Sequence, residues 1–401
     1  MQTNLADFIR DTPEGREADA ILRKCVHCGF CNATCPTYQL LGDELDGPRG
    51  RIYLIKQVLE GVAPTAKTRL HLDRCLTCRA CETTCPSGVQ YGQLADIGRA
   101  IVEQRTSRGP MERLQRTALA FVLPKTGLFS FLLLLGRLTK SFLPESLKKK
   151  IPEKSQPAGA WPAPRHKRRM LVLAGCVQPA LAPAINAAAA RVLDGAGISL
   201  IEAPGAGCCG AVRFHLNEQE AGRDDARALI DVWWPLVERG EIEAIVMTAS
   251  GCGVFVKEFI NHLKEDPTYC DKAARISAMT KDLSEVLESK FIPEKKFKGR
   301  IAFQSPCSLQ HGQQLGGKVE ALLQQAGYEL APVADGHLCC GSAGSYSILQ
   351  PELSSKLRER KLAALAAGGA GTIATANIGC LSHLQAGTRT RVRHWIELLD
   401  E

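Results

Sequence analysis

The chain has 401 residues, 45% apolar and 23% charged, enough for two or three domains with cores of their own. Aromatic residues make up only 5%, which argues against base-stacking platforms for nucleic acid. Seventeen cysteines are too sparse for a small disulfide scaffold and too clustered for scattered core thiols, while a net charge of +8 leaves anionic partners open.

Met1 to Asp19 is polar and acidic and has no apolar stretch of the secretory kind. A reducing compartment is therefore expected, where clustered cysteines read as metal ligands or redox centres. The cysteines divide the chain. Residues 1–104 carry eight in two tight groups, 105–168 carry none, and 169–401 carry nine in a pattern that repeats.

The first group is Cys25-x-x-Cys28-x-x-Cys31-x-x-x-Cys35-Pro36, and the second is Cys75-x-x-Cys78-x-x-Cys81-x-x-x-Cys85-Pro86. This is the bacterial [4Fe–4S] run, written twice. Three cysteines spaced by two residues wrap a loop around one face of a cubane, and the fourth is carried away to the other cluster. On that logic Cys25, Cys28, Cys31 and Cys85 hold one cluster, and Cys75, Cys78, Cys81 and Cys35 hold the other. Zinc sites use two separated ligand pairs, and thioredoxin-type sites a single Cys-x-x-Cys, so neither fits four cysteines in eleven residues. Two clusters of about −2 each would offset half of the excess positive charge, and no nucleic-acid partner is expected.

Between the groups, apolar residues at 52, 54, 55, 58 and 59 make a helical stripe over Arg49–Glu60 that Gly61 stops. Leu94–Glu103 reads as a second helix. Helices framing two clusters predict an α-helical ferredoxin domain over 1–104. His27, inside the first motif, either faces solvent or donates to a cluster sulfur.

Residues 105–168 are a linker with a helical segment. Phe129–Leu135 is apolar, but Pro124-Lys125 precede it and Gly136-Arg137 stop it, well short of the roughly 20 apolar residues of a spanning helix. With Lys148–Lys150 and the basic stretch Arg165–Arg169, it is either a solvated linker with a packed helix or an amphipathic segment that touches a membrane or a partner. Pro152, Pro157, Pro162 and Pro164 mark a linker in both cases.

The remainder is duplicated, over 169–290 and 291–401. A strand-like run (Met170–Ala174; Arg300–Phe303) leads to Cys176 or Cys307. A helix and a short strand then lead to a doublet, Cys208-Cys209-Gly210 or Cys339-Cys340-Gly341. A further helix and a strand (Ala244–Thr248; Gly371–Thr375) end at Cys252 or Cys380. Two such units predict a duplicated α/β domain with its cysteines at strand ends. Adjacent cysteines do not readily bond each other, but both can face one metal centre. Each repeat therefore offers four candidate ligands: Cys176, Cys208, Cys209 and Cys252, then Cys307, Cys339, Cys340 and Cys380. The alternative is buried structural thiols. Gly175, Gly207, Gly210, Gly251, Gly253, Gly341 and Gly379 beside them are expected to let the backbone approach a bulky group. Cys270 stands outside both patterns. His215, His311, His337 and His383 are expected in core or surface roles. No nucleotide-binding glycine fingerprint and no catalytic triad or paired carboxylates stand out, so no catalytic residue is assigned.

Residues Cys25–Cys85 resemble the two-cluster domains of bacterial dehydrogenase subunits. Cys176–Cys380 is similar to the duplicated Cys-Cys-Gly (CCG) domain shared by heterodisulfide reductases, anaerobic glycerol-3-phosphate dehydrogenases and lactate-utilisation proteins. Within that group the chain resembles the iron–sulfur subunits of bacterial glycolate oxidases. Gly42–Gln57, Thr248–Gly253, His337–Gly344 and Thr375–Cys380 carry the match. The resemblance implies an electron-transfer subunit with two [4Fe–4S] clusters and room for one or two more. It implies flavoprotein partner subunits that hold FAD and oxidise glycolate to glyoxylate, delivery of electrons to the quinone pool, and a cytoplasmic location peripheral to the inner membrane with no transmembrane helix. Alternatives within the group are the same role for lactate or glycerol-3-phosphate, or thiol–disulfide reduction at the doublets. The reductase-type repeat ends in Cys-x-x-Cys, whereas Ala249 and Asn377 occupy the earlier position here, which disfavours a five-cysteine cluster.

Overall fold

The computed structural model describes residues 1–142, 152, 156–288 and 297–401, and these form two compact units. The Lys148–Lys150 run and the boundary between repeats at 290/291 lie outside the described residues. The first unit comprises Met1–Gln115 with His337–Lys361, and the second Arg116–Gly336 with Leu362–Glu401.

In the first unit each motif hangs between helices whose ends are written in the sequence. Thr12 caps the helix Pro13–Lys24 by accepting from Gly15 N–H, Pro13 takes the first turn, and Cys25 breaks out in extended conformation. Pro36 likewise starts Pro36–Leu41, and Gly42 closes it in the left-handed region. The expected stripe forms Pro48–Leu59, which buries Ile52, Ile55, Val58 and Leu59, and the later helix runs Tyr91–Arg105, longer than expected at both ends. These helices meet face to face, and Gly98 lets them close: a Cβ there would lie 2.6 Å from Ile55. The shared core includes Leu22, Ile55, Leu59, Leu72 and Leu94, with Cys25 and Cys81 at its edge.

The second unit holds two four-stranded parallel sheets of one topology. The first contains β1 (Arg168–Val172), β2 (Ile198–Glu202), β3 (Ala244–Met247) and β4 (Thr280–Asp282), in the order β2-β1-β3-β4. The second contains β5 (Gly299–Gln304), β6 (Tyr328–Leu330), β7 (Thr372–Thr375) and β8 (Arg391–His394), in the order β6-β5-β7-β8. Central strands are apolar runs buried on both faces, as parallel sheets require, and Ala244–Met247 is buried at every position. Each repeat therefore carries a fourth strand beyond the three expected. One continuous core joins the repeats, with Val172, Ile185 and Leu193 from the first and Phe303, Leu323 and Trp395 from the second. A second core around Trp233, Phe255 and Phe259 backs the other face of the first sheet.

In the middle region Pro110–Val122 and Thr126–Thr139 are helical. No described residue of Thr126–Thr139 is buried, and Phe131, Leu134 and Leu138 are 61%, 55% and 69% exposed. No single helix among the described residues is long and apolar enough to cross a membrane; this pair reaches that length and apolarity only when taken together, across a 111° bend.

Candidate functional site

The two motifs share a backbone device. His27 (φ 58°) and Gly29 (φ 86°) in the first correspond to Thr77 (φ 52°) and Arg79 (φ 60°) in the second. Left-handed residues alternate with the cysteines and turn successive thiols to one side. For the β-branched Thr77 this conformation is strained by about 1–3 kcal/mol, a cost that persists only where surroundings over-determine it. One short helix then follows each loop, Phe30–Ala33 or Ala80–Thr84, and Cys35 or Cys85 leaves in extended conformation.

The eight thiols line two adjoining cavities. The first, of about 440 Å³ including its mouth, is lined by Cys25, Cys28, Cys31 and Cys85, with Cys81 in its wall. The second, of about 300 Å³, is lined by Cys35, Cys75, Cys78 and Cys81. Cys81 lines both cavities; each otherwise joins cysteines of one motif to the last cysteine of the other, Cys85 in the first and Cys35 in the second. No disulfide joins any cysteine. Among the described residues, the only three Cys, His, Asp or Glu donors mutually within 4.8 Å are Asp43, Asp46 and His71. A single zinc ion, with Zn–S of about 2.3 Å, would bring its thiolates within roughly 3.8 Å of one another. The motif thiols are spread too widely for that and suit a larger polynuclear group.

Electrostatics distinguish the cavities. Burial, then the neighbouring thiols, push Cys31 up to about 11, and burial pushes Cys81 well up. Burial would also raise Cys75, but the Arg51 and Arg99 guanidiniums outweigh it and the thiol ends below its ordinary value. Arg51 is 1% exposed and Arg99 7%. Sequence reading missed both. Arg51 adjoins the apolar stripe of its helix, and its anchors, Thr37, Asp46 and His71, lie outside that helix, 14, 5 and 20 positions away.

In the second unit the first repeat gathers all four of its candidates. The thiols act on one another's proton affinity in sequence, Cys176 with Cys208, Cys208 with Cys209, and Cys209 with Cys252. The neighbouring thiols and the Gly210 N–H, at 3.4 Å, favour the thiolate of Cys208, so its pKa falls while those of Cys176 and Cys209 rise. Asp225 nearby is pushed up to about 6 by burial and by the charge of Cys208. The cluster sits where β1, β2 and β3 end, at the point where strand order reverses, the usual ligand position of such sheets.

The flanking glycines serve different ends. A Cβ added at Gly207 would meet nothing within 4 Å, and one at Gly175 only Gln178 at 3.9 Å, so backbone there is open to a ligand. Gly210 (φ 95°) is required by packing instead: a Cβ would lie 2.2 Å from the Gly222 carbonyl oxygen. In the second repeat, Cys307 and Cys380 belong to the second unit and Cys339 and Cys340 to the first. Gly341 N–H reaches Cys339 Sγ at 3.4 Å, the same contact as at the first doublet. Asn377 bridges the repeats: its Oδ1 accepts from Gly251 N–H at 3.2 Å, and its Nδ2 lies 3.7 Å from Cys380 Sγ. Cys270 is half-buried beside Asp271 and joins neither group.

Comparison with known proteins agrees with this architecture. The 4Fe-4S dicluster domain matches residues 21–89, and the Cysteine-rich domain matches 170–257 and again 301–385. The chain is 55% identical over 403 aligned residues to the glycolate oxidase iron-sulfur subunit of Escherichia coli (strain K12), with 100% of this chain and 99% of that protein covered. It is 31% identical to the probable glycolate oxidase iron-sulfur subunit of Bacillus subtilis (strain 168), covering 95% and 94%. Lactate utilization protein A of Exiguobacterium sp. is 23% identical over 56% of this chain and 94% of its own length.

Proposed function

The chain belongs to the glycolate oxidase iron-sulfur subunit family, and from that premise we propose that it accepts electrons from a flavoprotein partner, where FAD takes them from glycolate to give glyoxylate, and passes them toward the quinone pool. The observation that carries the reading is that the eight motif thiols line two adjoining cavities, each of which includes the last cysteine of the opposite motif. Cys25, Cys28, Cys31 and Cys85 would hold one [4Fe–4S] group, and Cys35, Cys75, Cys78 and Cys81 the other. Such groups supply one-electron storage without bond rearrangement.

The chain's own residues do the rest. Ile52, Val89 and Tyr91 wall the first cavity with apolar surface and limit water, while Thr77 N–H, at 3.4 Å, and Tyr91 Oη, at 3.5 Å, donate to Cys75 Sγ and steady its negative charge. The Cys176, Cys208, Cys209 and Cys252 group suits a further cluster, since four soft donors already converge and Cys208 is disposed to be a thiolate. By sequence position Cys307, Cys339, Cys340 and Cys380 are the counterparts of these four in the second repeat. A location on the cytoplasmic side of the inner membrane is supported by the exposed apolar helix Thr126–Thr139, which lacks acidic residues and carries Arg137, with Lys125 just before it and Lys140 just after.

The test is anaerobic purification with and without the partner subunits, counting iron, sulfide and flavin and measuring glycolate-dependent dye reduction. Iron and sulfide on this chain alone, flavin only in the complex, and dye reduction only by the complex are expected. A colourless chain holding zinc, or a loaded complex that reduces dye with lactate and not glycolate, overturns the proposal.

A further inference from the structure

The two cavities differ in the charges built around them. Beside the second, Arg51 is enclosed by its own ligands: Nε donates to the His71 carbonyl at 2.7 Å, and Nη1 and Nη2 to Thr37 Oγ1 at 3.1 and 3.2 Å. Its Nη1 lies 3.9 Å from Cys35 Sγ. Asp46, fully buried, stands 3.5 Å from Arg51 and also accepts from Arg74 at 2.8 Å and meets His71 Nδ1 at 3.1 Å. On the Cys75 side Arg99 donates to the Cys75 carbonyl at 2.6 Å and to Thr77 Oγ1 at 2.8 Å. Three guanidiniums therefore stand against the buried Asp46 and the exposed, solvent-screened Asp43 beside it. Arg79 also lines this cavity, and Glu82 bears on Cys81.

The first cavity has no such surplus. Its cation, Arg49, is paired with Glu44, and both side chains are more than a third exposed, so water screens what charge they leave. A buried positive charge favours the more negative, reduced state of a cluster, and burial protects that preference from screening.

We propose that Arg51, locked between Thr37, Asp46 and the His71 carbonyl, makes the Cys35/Cys75/Cys78/Cys81 centre the higher in potential of the two, so that electrons entering at the Cys25/Cys28/Cys31/Cys85 centre collect at the second. The inference rests on the ligand sets proposed above. It also fixes the side from which electrons leave. The segment His337–Lys361 belongs to the same unit, and its buried Tyr346 lies within electrostatic reach of Arg51, Cys75 and Cys339. The Tyr346 hydroxyl is buried and makes no hydrogen bond among the described residues, which suits it to a sulfur acceptor at that centre.

The experiment is potentiometric titration of the full-length, cluster-loaded chain, followed by electron paramagnetic resonance, for the wild type, Arg51→Gln, Arg51→Lys, Asp46→Asn and Arg49→Gln. The wild type should reduce in two steps. Arg51→Gln should lower the upper step so that its reduced-to-oxidised ratio at fixed potential falls about tenfold, ~59 mV for a one-electron centre. Arg51→Lys should retain most of the upper potential, Asp46→Asn should raise it, and Arg49→Gln should leave it in place. If Arg51→Gln does not hold its iron, the opposite shift in Asp46→Asn still decides. An upper step that Asp46→Asn lowers or leaves unmoved, that is equal in Arg51→Gln and wild type, or that answers to Arg49→Gln, overturns the inference. Absence of iron from the wild type instead refutes the ligand assignment itself.

Discussion

His394 joins the two repeats at a single fully buried ring. Its Nε2 lies 2.9 Å from the Thr248 carbonyl of the first repeat, and its Nδ1 accepts from Ile396 N–H at 3.3 Å, capping the last helix, Trp395–Leu399. This pattern uses the neutral ring with its proton on Nε2. Burial lowers the pKa to about 4 from an ordinary 6.5, against the opposing pull of hydrogen bonds to backbone. Protons therefore bind the unfolded chain more readily. The stability tied to a neutral ring is intact above pH 6.5 and is lost as pH falls toward 4. At 1.36 kcal/mol per unit the loss is about 2 kcal/mol at pH 5 and about 3 kcal/mol below pH 4. His394→Gln keeps a donor for Thr248 but not the ring nitrogen at Ile396, and should cost about 1 kcal/mol at pH 7. Urea unfolding at pH 7 and pH 5, followed by circular dichroism, separates these effects. The wild type should lose about 2 kcal/mol more than the variant between the two pH values. Parallel losses in both proteins would show that folding leaves the ring's proton affinity unchanged and refute the reasoning.

Cys85→Ser should remove roughly four iron atoms per chain while the second centre keeps its spectrum, and Cys35→Ser the reverse; iron analysis with resonance spectra reads both. Gly210→Ala forces a carbon against the Gly222 carbonyl at positive φ and should destabilise by about 1–3 kcal/mol, whereas Gly207→Ala, with open space before it, should stay within about 0.5 kcal/mol; urea midpoints compare them. Leu134→Asp with Leu138→Asp on the exposed helix should weaken sedimentation with anionic vesicles by about tenfold or more, given about 1.5–3 kcal/mol for burying each leucine, and equal binding of variant and wild type would leave that helix without a membrane role.

Cysteine spacing and apolar periodicity made much of this architecture legible. The Arg49–Glu60 stripe appears as Pro48–Leu59, and the strands leading to Cys176, Cys252, Cys307 and Cys380 appear within two residues of their expected limits. The fourth strands were hidden because they carry little apolar signal. Thr280-Lys281-Asp282 and Arg391-Val392-Arg393-His394 are polar or charged but for Val392, and their strand character comes from pairing with β3 and β7. Arg51, Arg99 and His394 were equally hidden, since a buried cation or imidazole is recognised by partners far away in sequence. Nothing local in His337–Lys361 announces that it belongs with the first hundred residues rather than with its own repeat.

That last feature bears on how the protein is made. When residue 115 leaves the ribosome, all eight motif thiols are available, yet the unit lacks the stretch that carries Cys339, Tyr346 and Ser354, whose hydroxyl ties back to the Gly341 carbonyl at 2.8 Å. At ordinary synthesis rates that stretch emerges on the order of tens of seconds later. Iron arriving before that point would meet an unfinished amino-terminal unit, and gene fragments cut at the motif boundary inherit the same gap permanently.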